Sequence, residues 1–319
     1  REGFRAAAIV PLVAAGQSIG TLVIDSRQPR PFSEVEVRLL RLMANQAALA
    51  IETARLHREE IQRQRLEEEL AVGRQIQVSM LPAETPRLVG WQFATDFEAA
   101  RHVGGDFYDY FPLPGDNGRW GLVMADVSDT GVPAAIFMAL SRTTIRNLAL
   151  RGRAPADVMT WANRFIQEDS GSGMFLTVFY AELDTNDGRL VYANAGHNPP
   201  LLWRAAAAAF DTLAPTCPLL GVLESVNVTV ETTWLAPGDV LVLYTDGITE
   251  AVDRDYGEFG QARLEETVRE AVSGRDDPTA ADIQAAITTA VRAFAGAMVQ
   301  VDDMTLLIIK RTEVHHAHP

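Results

Sequence analysis

The chain has 319 residues, 47% of them hydrophobic, with a formal net charge of −14 and a pI near 4.9. Its length and apolar content suffice for roughly two domains with a sizeable core, while the acidic balance argues against a nucleic-acid or anionic-membrane surface. The lone cysteine, Cys217, forbids an internal disulfide, and no apolar run reaches the length of a membrane span or reads as a signal peptide, so a cytoplasmic protein is expected.

The chain opens at Arg1 inside what reads as a domain, which implies a longer parent protein. Ala6 to Leu12 and Ser18 to Asp25 are apolar runs joined by a short Ala/Gly turn, a hairpin signal. Ser33 followed by Glu36 is a capping box that starts a helix. Hairpin, Phe32-Ser33 and long Ala/Leu helix together resemble the C-terminal part of a GAF sensor domain, without that fold's earlier strands. Leu39, Leu42, Gln46, Leu49, Thr53 and Leu56 recur in steps of three and four, a heptad seam. The stripe resumes in shifted phase at Leu66, Leu70, Gly73, Ile76 and Met80, and Pro82 stops the helix. One reading is a solvated single helix laced with ion pairs. The favoured one is a parallel dimeric coiled coil, because a long helix without a globular partner needs another helix to bury its stripe.

After Pro82, Trp91 to Glu98 reads as a strand. Phe107 to Tyr110 and Trp120 to Val127 read as two more, folded back on each other by Pro114 to Gly118. Val132-Pro133 starts a helix reaching about Arg151, and another follows Pro155. Strands are expected at Phe175–Asp184 and Arg189–Asn194 around Asn186-Asp187-Gly188, then at Leu201–Arg204, Val226–Trp234 and Asp239–Tyr244. Helices over Gln261–Ser273 and Thr279–Gly296 precede a last strand, Met304–Lys310. Strands in two groups with helices between them suit an α+β sandwich.

Four acids lie at the ends of these β-runs: Asp106, Asp126, Asp246 in Tyr-Thr-Asp-Gly, and Asp302 in Val-Asp-Asp-Met. In an antiparallel pair Asp106 and Asp126 are neighbours, and two buried carboxylates repel. A hard divalent cation with a preference for oxygen ligands resolves that conflict. The competing reading of Asp126 alone is a strand end or helix N-cap.

Val103 to Asp109, Asp126 to Gly131, Asn194 to Leu202, Tyr244 to Glu250 and Asp302 to Thr305 resemble the signature blocks of the SpoIIE/RsbU phosphatases, bacterial members of the PPM metal-dependent Ser/Thr phosphatases. The resemblance runs from about Leu81 to Arg311. It implies a four-layer αββα sandwich, preceded by the partial GAF fragment and the long linker helix. The expected division is 1–57 for the GAF-like fragment, 58–80 for a coiled-coil linker, 81–313 for the phosphatase domain and 314–319 for a tail.

The resemblance also implies two Mn²⁺ or Mg²⁺ ions and attack on phosphorus by activated water, with no protein nucleophile. Asp126 would bridge both ions, Val127 would offer its backbone carbonyl, and Asp246 and Asp302 would complete one ion's shell. Asp106 would bind directly or hold a metal-bound water. Gly104 and Gly105 let the backbone pass close to the site. Asp109 lies three residues after Asp106, so strand alternation points it the other way. Asp303 ranks second to Asp302, while Asp253 and Asp255 read as loop acids. His197 invites a general-acid role, but its turn setting favours a structural one. Arg101 and His102 are candidate phosphate contacts or plain loop charges. Asp129-Thr130-Gly131 departs from the family's Gly-His-Gly, and no histidine stands at Ser128 to protonate the leaving group.

The implied substrate is a phosphorylated STAS-domain anti-sigma-factor antagonist. Upstream sensing would pass along the helix of a homodimer to the metal site. The alternative is a non-catalytic phosphatase-fold scaffold.

Overall fold

The computed structural model describes residues 3, 5–115, 118–169, 173–274 and 277–313. The chain separates into two compact units, Arg1–Ala71 and Val72–Pro319.

In the first unit β1 (Ala6–Ala14) and β2 (Gln17–Ser26) form an antiparallel hairpin. Its turn places Ala15 and Gly16 at φ of 46° and 80°, a left-handed pair that twists with the strands. Helix α1 (Glu34–Met80) starts on the expected capping box. The Ser33 N–H donates to the Glu36 carboxylate at 2.8 Å and the Glu36 N–H to the Ser33 hydroxyl at 3.3 Å. Val10 packs with Leu40 and Ala44, so the hairpin covers one face of the helix. The heptad seam faces elsewhere: Leu39, Leu42, Leu49 and Leu56 are all more than half exposed. The polar middle carries Arg55–Glu59, Arg63–Glu60 and Arg63–Glu67 ion pairs, which contribute little to stability at such exposure.

The second unit takes up the last residues of α1 and continues with β3 (Trp91–Glu98), β4 (Phe107–Pro112) and β5 (Arg119–Val127). Helices α2 (Val132–Leu150) and α3 (Pro155–Asp169) follow, then β6 (Leu176–Asp184), β7 (Arg189–Ala195), β8 (Leu201–Arg204), β9 (Ala209–Thr212), β10 (Glu231–Trp234) and β11 (Val240–Tyr244). A single turn, α4 (Asp246–Thr249), leads to α5 (Gly260–Ser273), α6 (Ala280–Ala295) and β12 (Met304–Arg311).

Two five-stranded antiparallel sheets result, in the orders β10-β7-β6-β5-β4 and β3-β12-β11-β8-β9. Side-chain alternation builds the layers. Leu241, Leu243, Leu307 and Ile309 enter the core shared with the first sheet. Their neighbours Val240, Val242, Leu306 and Ile308 enter a second core with Leu264, Val268, Ile283 and Ile287 of α5 and α6. Phe137, Met138, Met159 and Ile166 of α2 and α3 cover the other side of the first sheet. The four-layer α+β sandwich expected from the sequence is therefore the architecture observed. Among the described residues no helix is long and apolar enough to cross a membrane.

Two local expectations are corrected. Val226 to Val230 is not strand; only Glu231–Trp234 is. β10 pairs with β7 from Arg189 to Tyr192. Beyond that point β7's Asn194 carbonyl is taken by the N–H groups of Thr216 and Cys217, leaving no free ladder for a longer strand. β9 was not expected, because its alanine-rich lead-in carries no β-signal. The tail at 314–319 and positions 116 and 117 of the β4–β5 turn lie outside the described residues.

Candidate metal centre

Strand pairing gathers the four expected acids. Phe107 pairs with Ala125, so Asp106 and Asp126 sit side by side where β4 begins and β5 ends. Tyr244 pairs with Leu306, which sets Asp246, just after β11, near Asp302, just before β12. The electrostatics follow that adjacency. Asp106 is 1% exposed, and burial, then the charges of Asp126 and Asp303, push its pKa well above the ordinary carboxylate range. Asp126 is raised to about 7 by burial, then by Asp246 and Asp302. Asp246 is raised to about 6 by burial, then by Asp302 and Glu250. Among the described residues no three His, Cys, Asp or Glu side chains close up tightly enough to enclose an ion by themselves. The centre is thus an open acid-lined corner, with all-oxygen donors suited to hard cations and, among the described residues, no Lys, Arg or His ion-paired to Asp106, Asp126, Asp246 or Asp302.

The backbone around this corner is held from the second sheet. Thr305 donates its hydroxyl to Asp106 Oδ2 at 2.7 Å. Asp303 was ranked below Asp302, yet it is the most heavily bonded acid here. Its carboxylate accepts from the Ala100 N–H at 2.8 Å, the Gly105 N–H at 2.8 Å and the Asp106 N–H at 3.4 Å. It staples the loop before β4 to the start of β12. The glycines make that staple possible. A Cβ at Gly104 would collide with the Asp303 carboxylate, and one at Gly105 would lie 2.8 Å from the Val127 carbonyl oxygen. The sequence signals were the Gly-Gly and Asp-Asp doublets, but nothing in the sequence says that they meet.

Three further candidates resolve. Asp109 is fully buried on the far side of β4, paired with Arg142 at 2.9 Å and Arg146 at 2.8 Å on α2. His197 is 1% exposed. Burial depresses its pKa to about 3, so it is a neutral imidazole. Its Nδ1 lies 3.0 Å from the Thr177 hydroxyl, and its backbone N–H donates to Asn194 Oδ1 at 2.8 Å. That is the structural role favoured above, one layer behind Asp126. Ser128 is also structural: its hydroxyl accepts from the Phe175 N–H at 2.9 Å. Arg101 and His102 are exposed.

On the other side of the Gly-Gly loop, Gln77 of α1 is 3% exposed. Its amide donates to the Gly104 carbonyl at 2.7 Å and accepts from the Gly104 N–H at 3.1 Å. The helix end is thus bonded to the backbone two residues before Asp106.

Comparison with known proteins fits this geometry. The family described as Stage II sporulation protein E (SpoIIE) matches residues 116–312, and a GAF domain matches residues 1–52. Protein IcfG of Synechocystis sp. is 32% identical over 270 residues, covering 76% of this chain and 41% of IcfG. Phosphoserine phosphatase RsbU of Bacillus subtilis is 26% identical over 187 residues, covering 59% of this chain and 55% of RsbU. The chain therefore spans only 41% and 55% of the lengths of these relatives. The SiaA-PP2C domain of Pseudomonas aeruginosa superposes with a TM-score of 0.68 over 78% of this chain and 98% of that one, at 20% identity, which shows a shared fold.

Proposed function

The chain belongs to the Stage II sporulation protein E family, a group of PPM-type serine/threonine phosphatases, and from that premise we propose that it is a metal-dependent phosphoserine/phosphothreonine protein phosphatase of bacterial signalling. Its proposed substrate is a phosphorylated STAS-domain anti-sigma-factor antagonist in the cytoplasm. The observation that carries the reading is the gathering of Asp106, Asp126, Asp246 and Asp302 at one corner of both sheets, where burial and neighbouring carboxylates make Asp106, Asp126 and Asp246 hard to ionise.

In this reading Asp126, the Val127 carbonyl, Asp246, Asp302 and Asp106 would hold the ions. Two Mn²⁺ or Mg²⁺ ions, when bound, supply an activated water and offset the charge of the phosphoryl oxygens. The protein's part is placement. Asp303 and Thr305 fix the Asp106 backbone and carboxylate, and Gly104 and Gly105 let that backbone run close by. His197 stays neutral and out of reach of substrate, so it transfers no proton.

Regulation belongs to the same proposal. The GAF-like segment would pass its state along α1, which dimerises through the exposed Leu39–Leu56 seam. The Gln77–Gly104 bonds offer a mechanical route to Asp106.

The test is Mn²⁺-dependent phosphate release from a phosphoserine protein by the wild type beside Asp126→Asn and Asp246→Asn. Each substitution is expected to cost more than roughly a hundredfold, because it cripples metal-activated water. Metal-independent or absent release by a folded wild type would favour the non-catalytic scaffold.

A further inference from the structure

A groove of 560 Å³ opens beside the acid-lined corner, with Gly247 and Asp302 forming the wall that the two share. Its apolar surface comes from Val252, Val291, Met298 and Met304. Val299 and Val301, on the loop between α6 and β12, stand 81% and 73% exposed at its edge. Two exposed β-branched residues beside an apolar floor are costly to leave in water.

The charges are one-sided. Glu98, Glu250, Glu258 and Asp302 line the groove against a single base, Arg292. That base is already engaged with Glu98 at 2.7 Å. Among the described residues neither Glu250 nor Glu258 has a cation within ion-pair distance, and both are exposed. The groove therefore pairs an apolar floor with an acidic rim on which, among the described residues, Glu250 and Glu258 have no ion-pair partner, next to the place where a phosphoryl group would be cleaved.

We propose that this groove seats the polypeptide flanking the phosphorylated residue of the substrate, and that it selects a segment with one apolar side chain for the floor and one lysine or arginine for Glu250 and Glu258. The proposal rests on the phosphatase reading and adds to it the chemistry of the substrate's flank. A basic flank suits the geometry for a further reason. The phosphoryl group itself is anionic and approaches an acidic surface, so a neighbouring cation reduces the repulsion felt by the incoming segment.

The experiment uses the full chain with Mn²⁺ and three substrates: p-nitrophenyl phosphate, a phosphoserine peptide flanked by Lys and Leu, and the same peptide with Glu and Ser in their place. The wild type should favour the Lys/Leu peptide by roughly tenfold in kcat/KM, mostly through KM, and the preference should shrink in high salt. Glu258→Lys, at an exposed position, should abolish or invert that preference and leave p-nitrophenyl phosphate turnover unchanged. Equal kcat/KM for both peptides in the wild type, or an undiminished preference in Glu258→Lys, overturns the groove assignment while leaving the phosphatase standing. Absence of Mn²⁺-dependent turnover of all three substrates by the wild type overturns the phosphatase reading and the groove with it.

Discussion

Asp106 and Asp109 are three residues apart, both buried, and differ in what surrounds their charge. Asp109 faces α2, where Arg142 and Arg146 meet it and the Arg146 guanidinium also lies 4.7 Å from the centre of the Phe111 ring. Burial still raises its pKa, with the two arginines opposing. Asp106 faces the charges of Asp126 and Asp303, and the groups that favour its ionised form are the hydroxyls of Thr245 and Thr305. A buried acid with a protein cation is complete. A corner of buried acids without one is complete only when something outside the chain brings positive charge.

The largest effect expected outside the centre comes from breaking the completed pair. Asp109→Asn would strand two guanidiniums against the core. It should cost about 3 kcal/mol of stability in denaturant unfolding, since Arg146 keeps partial access to water. Mn²⁺ affinity should barely change. A matching loss of Mn²⁺ affinity would mean that the two sides of β4 are not independent.

A smaller, pH-dependent effect sharpens the other half of the contrast. Asp126 and Asp246 rise from an ordinary 3.8 to about 7 and about 6 in the folded, metal-free chain. Groups raised on folding contribute stability below the unfolded pKa and lose it as pH climbs through the folded one. Between about pH 4 and pH 7 these two acids therefore make the metal-free protein progressively less stable. Thermal melts with EDTA and with Mn²⁺ should diverge as pH rises through that window. A gap that is constant or narrows with pH would contradict the account.

Much of this was legible in the sequence, for reasons that can be named. β4, β5, β11 and β12 are short apolar runs with an acid at or beside one end, so local pattern sufficed to locate both the strands and Asp106, Asp126, Asp246 and Asp302. The Ser33/Glu36 box and Pro82 bracketed α1 for equally local reasons. Asp303 was undervalued because its importance is tertiary. Its partners, the N–H groups of Ala100, Gly105 and Asp106, lie about 200 positions earlier and meet it only after both sheets have formed. Val226 to Val230 misled in the opposite way. Its alternating valines have β character, but the edge they would join is occupied by Thr216 and Cys217.

The central claim is that the corner of acids binds divalent ions through Asp126. Calorimetric titration of Mn²⁺ into metal-free wild type and Asp126→Asn at neutral pH tests it directly. Loss of supporting partners around a metal site typically costs 10–100-fold in affinity, so loss of the Asp126 carboxylate, proposed to hold the ions directly, should exceed roughly a hundredfold. Saturable binding by the wild type and its collapse in the variant is the predicted result. Equal binding by both proteins, or none by a folded wild type, would contradict the account.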